Sequence, residues 1–186
     1  MSDDFLKNPL SLFDIRGKTA IVTGASGAFG ALASKVLAGA GCNLVLTAGG
    51  LEALKKVAAE CGELGAKVEA INIRPTTAEN CEKVVAAAVK RFGGVDILVL
   101  AAGINKVSKI VDQPPEAFAE VMDVNVTQSW LMARAAGKQM LAQGRGGKET
   151  VVRAGDSCYI GPNESREIVN RGNEVCTIAV AVAPVK

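Results

Sequence analysis

A chain of 186 residues with 49% hydrophobic side chains amounts to one domain and is long enough to bury a substantial core. Its net charge of +2 is too small to point to nucleic acid or another polyanion as a partner. With no histidine and an odd count of five cysteines, none closely paired, the composition argues against a disulfide framework and a zinc site, and no metal is expected. No apolar run approaches membrane-spanning length and residues 1–18 lack the apolar core of a secretory signal, so a soluble cytoplasmic protein without a membrane partner is the expectation.

Residues 1–18 form a polar lead-in from which Leu12, Phe13 and Ile15 are expected to pack on the edge of the domain. The β-branched and apolar run 19–23 then predicts a buried strand. A small-residue turn follows, and residues 28–40 continue with helical spacing, with Phe29, Leu32, Val36 and Leu37 on one face. Strand, tight turn and helix start make a place where backbone N–H groups and a helix N-terminus can face a pyrophosphate, and glycine there permits the turn and the close approach. Such turns also occur with no ligand.

Gly39 and Gly41 stop the helix, and residues 43–47 read as a second strand. Residues 51–64 are an amphipathic helix with Leu51, Leu54, Val57, Ala58 and Cys61 inward. A third strand spans 67–73, Pro75 ends it, and Thr77 is the predicted N-cap of a helix running to Phe92. After Gly93-Gly94 comes a fourth strand, 95–101, closed by the small residues Ala101, Ala102 and Gly103. Pro114-Pro115 announces a helix over 116–143 with a bend near Val124, whose flank of Trp130, Leu131 and Met140 is expected to be left exposed. Gly144, Gly146 and Gly147 end it, and 149–153 predicts a fifth strand. Residues 154–173 are polar and rich in turn formers, and 175–183 are strand-like. Strands alternating with helices of this length imply right-handed crossovers and a doubly wound, Rossmann-like α/β fold with a parallel sheet.

The segment Thr23-Gly-Ala-Ser-Gly-Ala-Phe-Gly30 closely resembles the Thr-Gly-x-x-x-Gly-x-Gly signature of short-chain dehydrogenases/reductases, with Ala28 in place of the middle glycine. Residues 93–103, Gly-Gly-Val-Asp-Ile-Leu-Val-Leu-Ala-Ala-Gly, are similar to the family's fourth strand, with Leu100 replacing an asparagine. Met122-Asp-Val-Asn-Val126 looks like the segment holding the asparagine of the catalytic tetrad, which carries over to Asn125 as a positioning group; the same residue may equally be read as satisfying local backbone groups in a bent helix. The resemblance implies a dinucleotide site at Gly24, Ser26, Phe29, Gly30, Ala101, Ala102 and Gly103. It implies NAD or NADP, bound weakly, because Thr47-Ala-Gly-Gly50 offers neither the acid that accepts the ribose hydroxyl of NAD nor a base for the NADP phosphate. Arg74 stands about where the family has an aspartate near the adenine. A small-molecule alcohol or carbonyl substrate and a possible homo-oligomer are further implications.

The likeness runs from about residue 12 to 148, and the expected division is a dinucleotide-binding domain at 1–153 and a divergent tail at 154–186. The family's chemistry needs a tyrosine that exchanges the proton, a lysine four residues on that lowers its pKa, and an orienting serine. Here the one tyrosine is Tyr159, four residues later stands Asn163, and Ser157 is too near to serve. Three readings stay open: a family product whose C-terminal part is lost or replaced by truncation, splicing or a frame change; a nucleotide- or partner-binding pseudoenzyme; and an oxidoreductase with an unfamiliar site, such as Tyr159 activated by Arg153 or Arg166.

Overall fold

The computed structural model describes residues 13–144. The predicted fifth strand, the tail and Tyr159 lie outside them. Four strands, β1 (Thr19–Thr23), β2 (Asn43–Thr47), β3 (Val68–Ile71) and β4 (Ile97–Leu100), form one parallel sheet in the order β3-β2-β1-β4. Thr19 pairs with Asn43, Leu44 with Val68 and Ala20 with Ile97, which sets the register of the whole sheet. Asp96 anchors the start of the β1–β4 pair: its Oδ2 accepts from Thr19 N at 2.9 Å, and its own N–H donates to Thr19 O at 2.9 Å.

Helices α1 (Ala28–Gly39) and α2 (Leu51–Glu63) cover one face of this sheet, and α3 (Ala78–Phe92) and α5 (Gln128–Ala142) the other, with α4 (Pro115–Met122) leading into α5. Every residue of β1 is buried, which is why its run is uniformly apolar or β-branched rather than alternating. The two cores share the strands by parity. Ala20, Val22, Leu44 and Leu46 meet Ala38, Leu54, Val57 and Cys61 on one side. Ile21 and Val45 meet Val84, Ala88, Met132 and Ala136 on the other.

Most of the apolar residues that share one face of α1 point away from the sheet. The helix's buried residues are Gly30, Ser34 and Ala38, whereas Phe29, Leu32 and Val36 are 84%, 61% and 63% exposed. Small residues at a spacing of four let the helix lie close on the sheet, and the Ser34 hydroxyl is satisfied by donating to Gly30 O at 2.7 Å. Close approach, not apolar bulk, selects the inward face. Elsewhere the differences are smaller. Leu51 is exposed rather than inward. The third strand ends at Ile71 because Ile73 N turns back to Ile71 O at 2.8 Å. The predicted bend near Val124 is a π-helical turn, Asp123–Thr127. Trp130 is exposed as expected, with Arg134 Cζ 5.9 Å from its ring centroid, but Leu131 and Met140 pack on the second core. Among the described residues no helix is long and apolar enough to cross a membrane.

Helix α3 shows the clearest end chemistry. Thr77 Oγ1 accepts from Asn80 N at 3.2 Å, Glu79 sits in the first turn, and Lys90 and Arg91 sit in the last, each on the favourable end of the helix dipole. Gly93 closes the helix with φ +82°. Thr77→Ala should therefore lower unfolding free energy by about 1 kcal/mol, read as a shifted urea midpoint at unchanged slope.

Candidate functional site

Strand β1 is flanked by β2, reached directly through α1, and by β4, reached only after β3 and α3. The strand order reverses between β1 and β4, so a crevice opens at their carboxyl ends, the usual place for a ligand in an open α/β sheet. Gly24, Ala101, Ala102 and Gly103 meet there. Gly24 has φ +62°, and a Cβ on it would stand 2.6 Å from Ala102 N and 2.7 Å from the Ala101 carbonyl carbon. Gly30 is held as tightly from the helix side, since a Cβ would overlap the Gly24 carbonyl oxygen and lie 2.9 Å from Ala25 Cα. Both positions admit only glycine without displacing backbone. The turn is tied down by Gly27 N donating to Gly24 O at 2.9 Å and Ala25 N donating to Thr47 O at 3.2 Å.

Helix α1 begins in this crevice with Gly27 as its N-cap, and no side chain caps it. Its first-turn N–H groups thus have no side-chain acceptor, which is the arrangement an anion would complete. Ser26 is half-buried and Phe29 exposed at the same end of the helix. This is a cradle that Cβ atoms would fill, and it fits a pyrophosphate.

Asn125 lies in the π-helical turn and is exposed. Its Oδ1 accepts from Ile104 N at 2.9 Å and its Nδ2 donates to Ile104 O at 2.9 Å, so the side chain holds the loop after β4 as a neighbouring strand's peptide would. A Cβ at Gly103 would stand 3.1 Å from that Oδ1, which explains the small residue. Asn125 is brought to the crevice's rim and positions backbone.

Two features escaped the sequence reading. Gln143, one residue past α5, repeats the same clamp at the other end of β4: its Oε1 accepts from Val95 N at 2.6 Å and its Nε2 donates to Val95 O at 2.8 Å. A lone glutamine before a glycine carries no periodic signal that could have revealed this. The second is the setting of Arg74, whose guanidinium lies directly against Gly49 at the end of β2. Its place after the third strand was legible; its contact with Gly49 was not.

Cys42, Cys61 and Cys81 are free and buried, and burial pushes each thiol above its ordinary pKa, which leaves them protonated and unsuited to nucleophilic work at neutral pH. Lys106 is engaged in an ion pair with Glu120. Among the described residues no group of three His, Cys, Asp or Glu side chains is placed to hold a metal ion.

A family profile described as short chain dehydrogenase matches residues 18–153. An uncharacterized oxidoreductase of Mycobacterium tuberculosis is 36% identical over 143 residues, covering 77% of this chain and 52% of that protein. A crystal structure of a short-chain type dehydrogenase/reductase from Mycobacterium marinum superposes with a TM-score of 0.71 at 37% identity, over 74% of this chain and 56% of that one. A xylitol dehydrogenase solved with NAD+ bound gives a TM-score of 0.67 at 32% identity, over 69% and 50% of the two chains. The chain spans about half the length of the curated relatives it matches.

The glycine geometry makes a test in which one substitution type changes sign with position. Gly24→Ala and Gly30→Ala should each cost about 2 kcal/mol or more, because backbone must move. Gly137→Ala, within α5 and with nothing inside 4 Å of the added methyl, should instead stabilise by up to ~1 kcal/mol. Denaturant titration of the three variants reads both signs.

Proposed function

The chain belongs to the short-chain dehydrogenase family, and from that premise we propose that it binds the pyrophosphate of NAD or NADP at residues 24–30 and, as it stands, turns over no alcohol or carbonyl substrate. The observation that carries the binding half is the start of α1: an uncapped helix N-terminus in the crevice, where Gly24, Gly30, Ala101 and Ala102 bring backbone into close contact. In this reading the first-turn N–H groups of α1 hold the pyrophosphate, residues 101–103 form the wall along which the dinucleotide extends, and Asn125 fixes that wall through Ile104. Bound nicotinamide would supply hydride transfer. The xylitol dehydrogenase with its bound NAD+ supports the choice of ligand class.

The chemical half rests on what the sequence holds for moving a proton. There is no histidine, and the one tyrosine, Tyr159, has Asn163 where the family's lysine would stand. A phenol of pKa near ~10 is a poor base at neutral pH without a neighbouring cation. Asn125 is an amide and exchanges no proton in this range; both of its polar atoms already serve Ile104. The reading is therefore of a dinucleotide-binding family member without the acid/base set.

Binding should be weak, with a dissociation constant for NAD or NADP of about 0.1 mM or higher, because residues 47–50 give the ribose hydroxyl of NAD no acid acceptor. Calorimetric titration checks this, and micromolar affinity for either nucleotide would contradict it. A panel of alcohols, sugars and carbonyl compounds followed at the nicotinamide absorbance should show no turnover by the purified chain. Turnover abolished by both Tyr159→Phe and Asn125→Ala would instead establish Tyr159 as the acid/base.

A further inference from the structure

Building on the nucleotide-binding reading above, we propose that Arg74 makes this site select the 2′-phosphorylated dinucleotide, NADP over NAD, by holding a cation against Gly49 at the carboxyl end of β2. The parallel register brings the carboxyl ends of β1, β2 and β3 side by side, and in this fold the adenosine ribose lies at the end of the second strand. That end reads Thr47-Ala-Gly-Gly50.

Arg74 is fixed there by backbone on both sides. The Thr47 hydroxyl donates to the Ile73 carbonyl, and Asn72 Nδ2 donates to Ala48 O at 2.9 Å, so the segment after β3 is bonded to the end of β2. The Arg74 carbonyl accepts from Thr76 N at 2.8 Å and from Asn80 Nδ2 at 3.2 Å, which ties the same residue to the start of α3. Its side chain then crosses to Gly49, where an added Cβ would overlap Nε and stand 2.8 Å from Cζ and Nη2. Glycine at 49 is what lets the guanidinium come this near. At Gly50 an added Cβ would meet nothing within 4 Å, so the space beyond is open.

The surrounding charges decide which nucleotide benefits. No carboxylate lies in residues 47–50 to accept the two ribose hydroxyls of NAD, and none there repels a phosphate. The ion pairs among the described residues leave Arg74 out, so its guanidinium is exposed and not neutralised by an acid. A planar guanidinium with several donors suits a phosphate of nearly two negative charges, and such charge-assisted bonds exceed those to a neutral hydroxyl.

The test uses the full chain of 186 residues and titrates NADP, NAD, 2′,5′-ADP and 5′-ADP by calorimetry at fixed salt. The phosphorylated member of each pair should bind at least about tenfold tighter. Arg74→Ala should bring that ratio below about threefold, and Arg74→Lys should leave an intermediate ratio, since lysine keeps the charge but loses the fork. Phosphorus NMR on the parent chain adds a reading that needs no variant: the 2′-phosphate resonance should shift together with the pyrophosphate. Equal affinities, tighter NAD, a ratio unchanged in Arg74→Ala, or a pyrophosphate shift without a 2′-phosphate shift would overturn the assignment while leaving nucleotide binding intact. Binding of no nucleotide would overturn both.

Discussion

Backbone packed on backbone at the carboxyl end of β1 is the constraint from which the other features follow. Gly30 on α1 lies against the Gly24 carbonyl, and Gly24 lies against the peptide joining Ala101 to Ala102. Two consecutive elements and the distant end of β4 therefore converge within the thickness of a single Cβ. Ordinary side chains at either glycine would lift α1 off the sheet and widen the gap between β1 and the end of β4. The same contact explains the choice of small residues along the inner face of α1, where Ser34 and Ala38 continue the line begun by Gly30. With bulk excluded along that line, Phe29, Leu32 and Val36 stand outside, while Leu37 packs at the edge of the first core.

The opposite face of the sheet is organised by a different device. Helix α5 packs Met132 and Ala136 on α3 and the sheet, but its ends are fixed by side-chain amides. Asn125 before it grips Ile104, and Gln143 after it grips Val95, each with one donated and one accepted bond. The two gripped residues bracket β4, so the helix and the strand are held alongside each other, running in opposite directions, by mimics of sheet pairing at both ends. The π-helical turn at Asp123–Thr127 belongs to this scheme, because the wider turn resets which residues face the β4 loop. A strictly α-helical path would carry Asn125 to a different azimuth.

Much of this was legible in the sequence because it depended on local pattern. The buried run at β1, the Thr77 cap, the Gly93 stop and the glycine turn each have a signal a few residues long, and each stands in the structure as read. The inward face of α1 was not legible, because apolar periodicity records where bulk recurs, not where two backbones must touch. The Gln143 clamp was invisible for a related reason: a bond between residues 48 positions apart leaves no trace in either neighbourhood. The Arg74 contact was half legible, its position from the alignment of strands but its partner Gly49 only from the fold.

Dinucleotide binding and proton chemistry draw on different kinds of group. Where β1 meets β4 the close contacts are made by glycine and alanine, and α1 starts there without a side-chain cap. Such a site discriminates by shape and by oriented N–H groups, which stabilise a bound pyrophosphate whether or not any reaction follows. Catalysis requires in addition a group whose interaction strengthens as the transition state forms. The Asn125 side chain is a neutral amide whose oxygen and nitrogen are each bonded to Ile104. Its contribution is to keep Ile104, and with it the wall at residues 101–103, in place. Backbone N–H groups keep the same charge at every pH near neutrality, so an anion held by them is held alike before and after a proton moves.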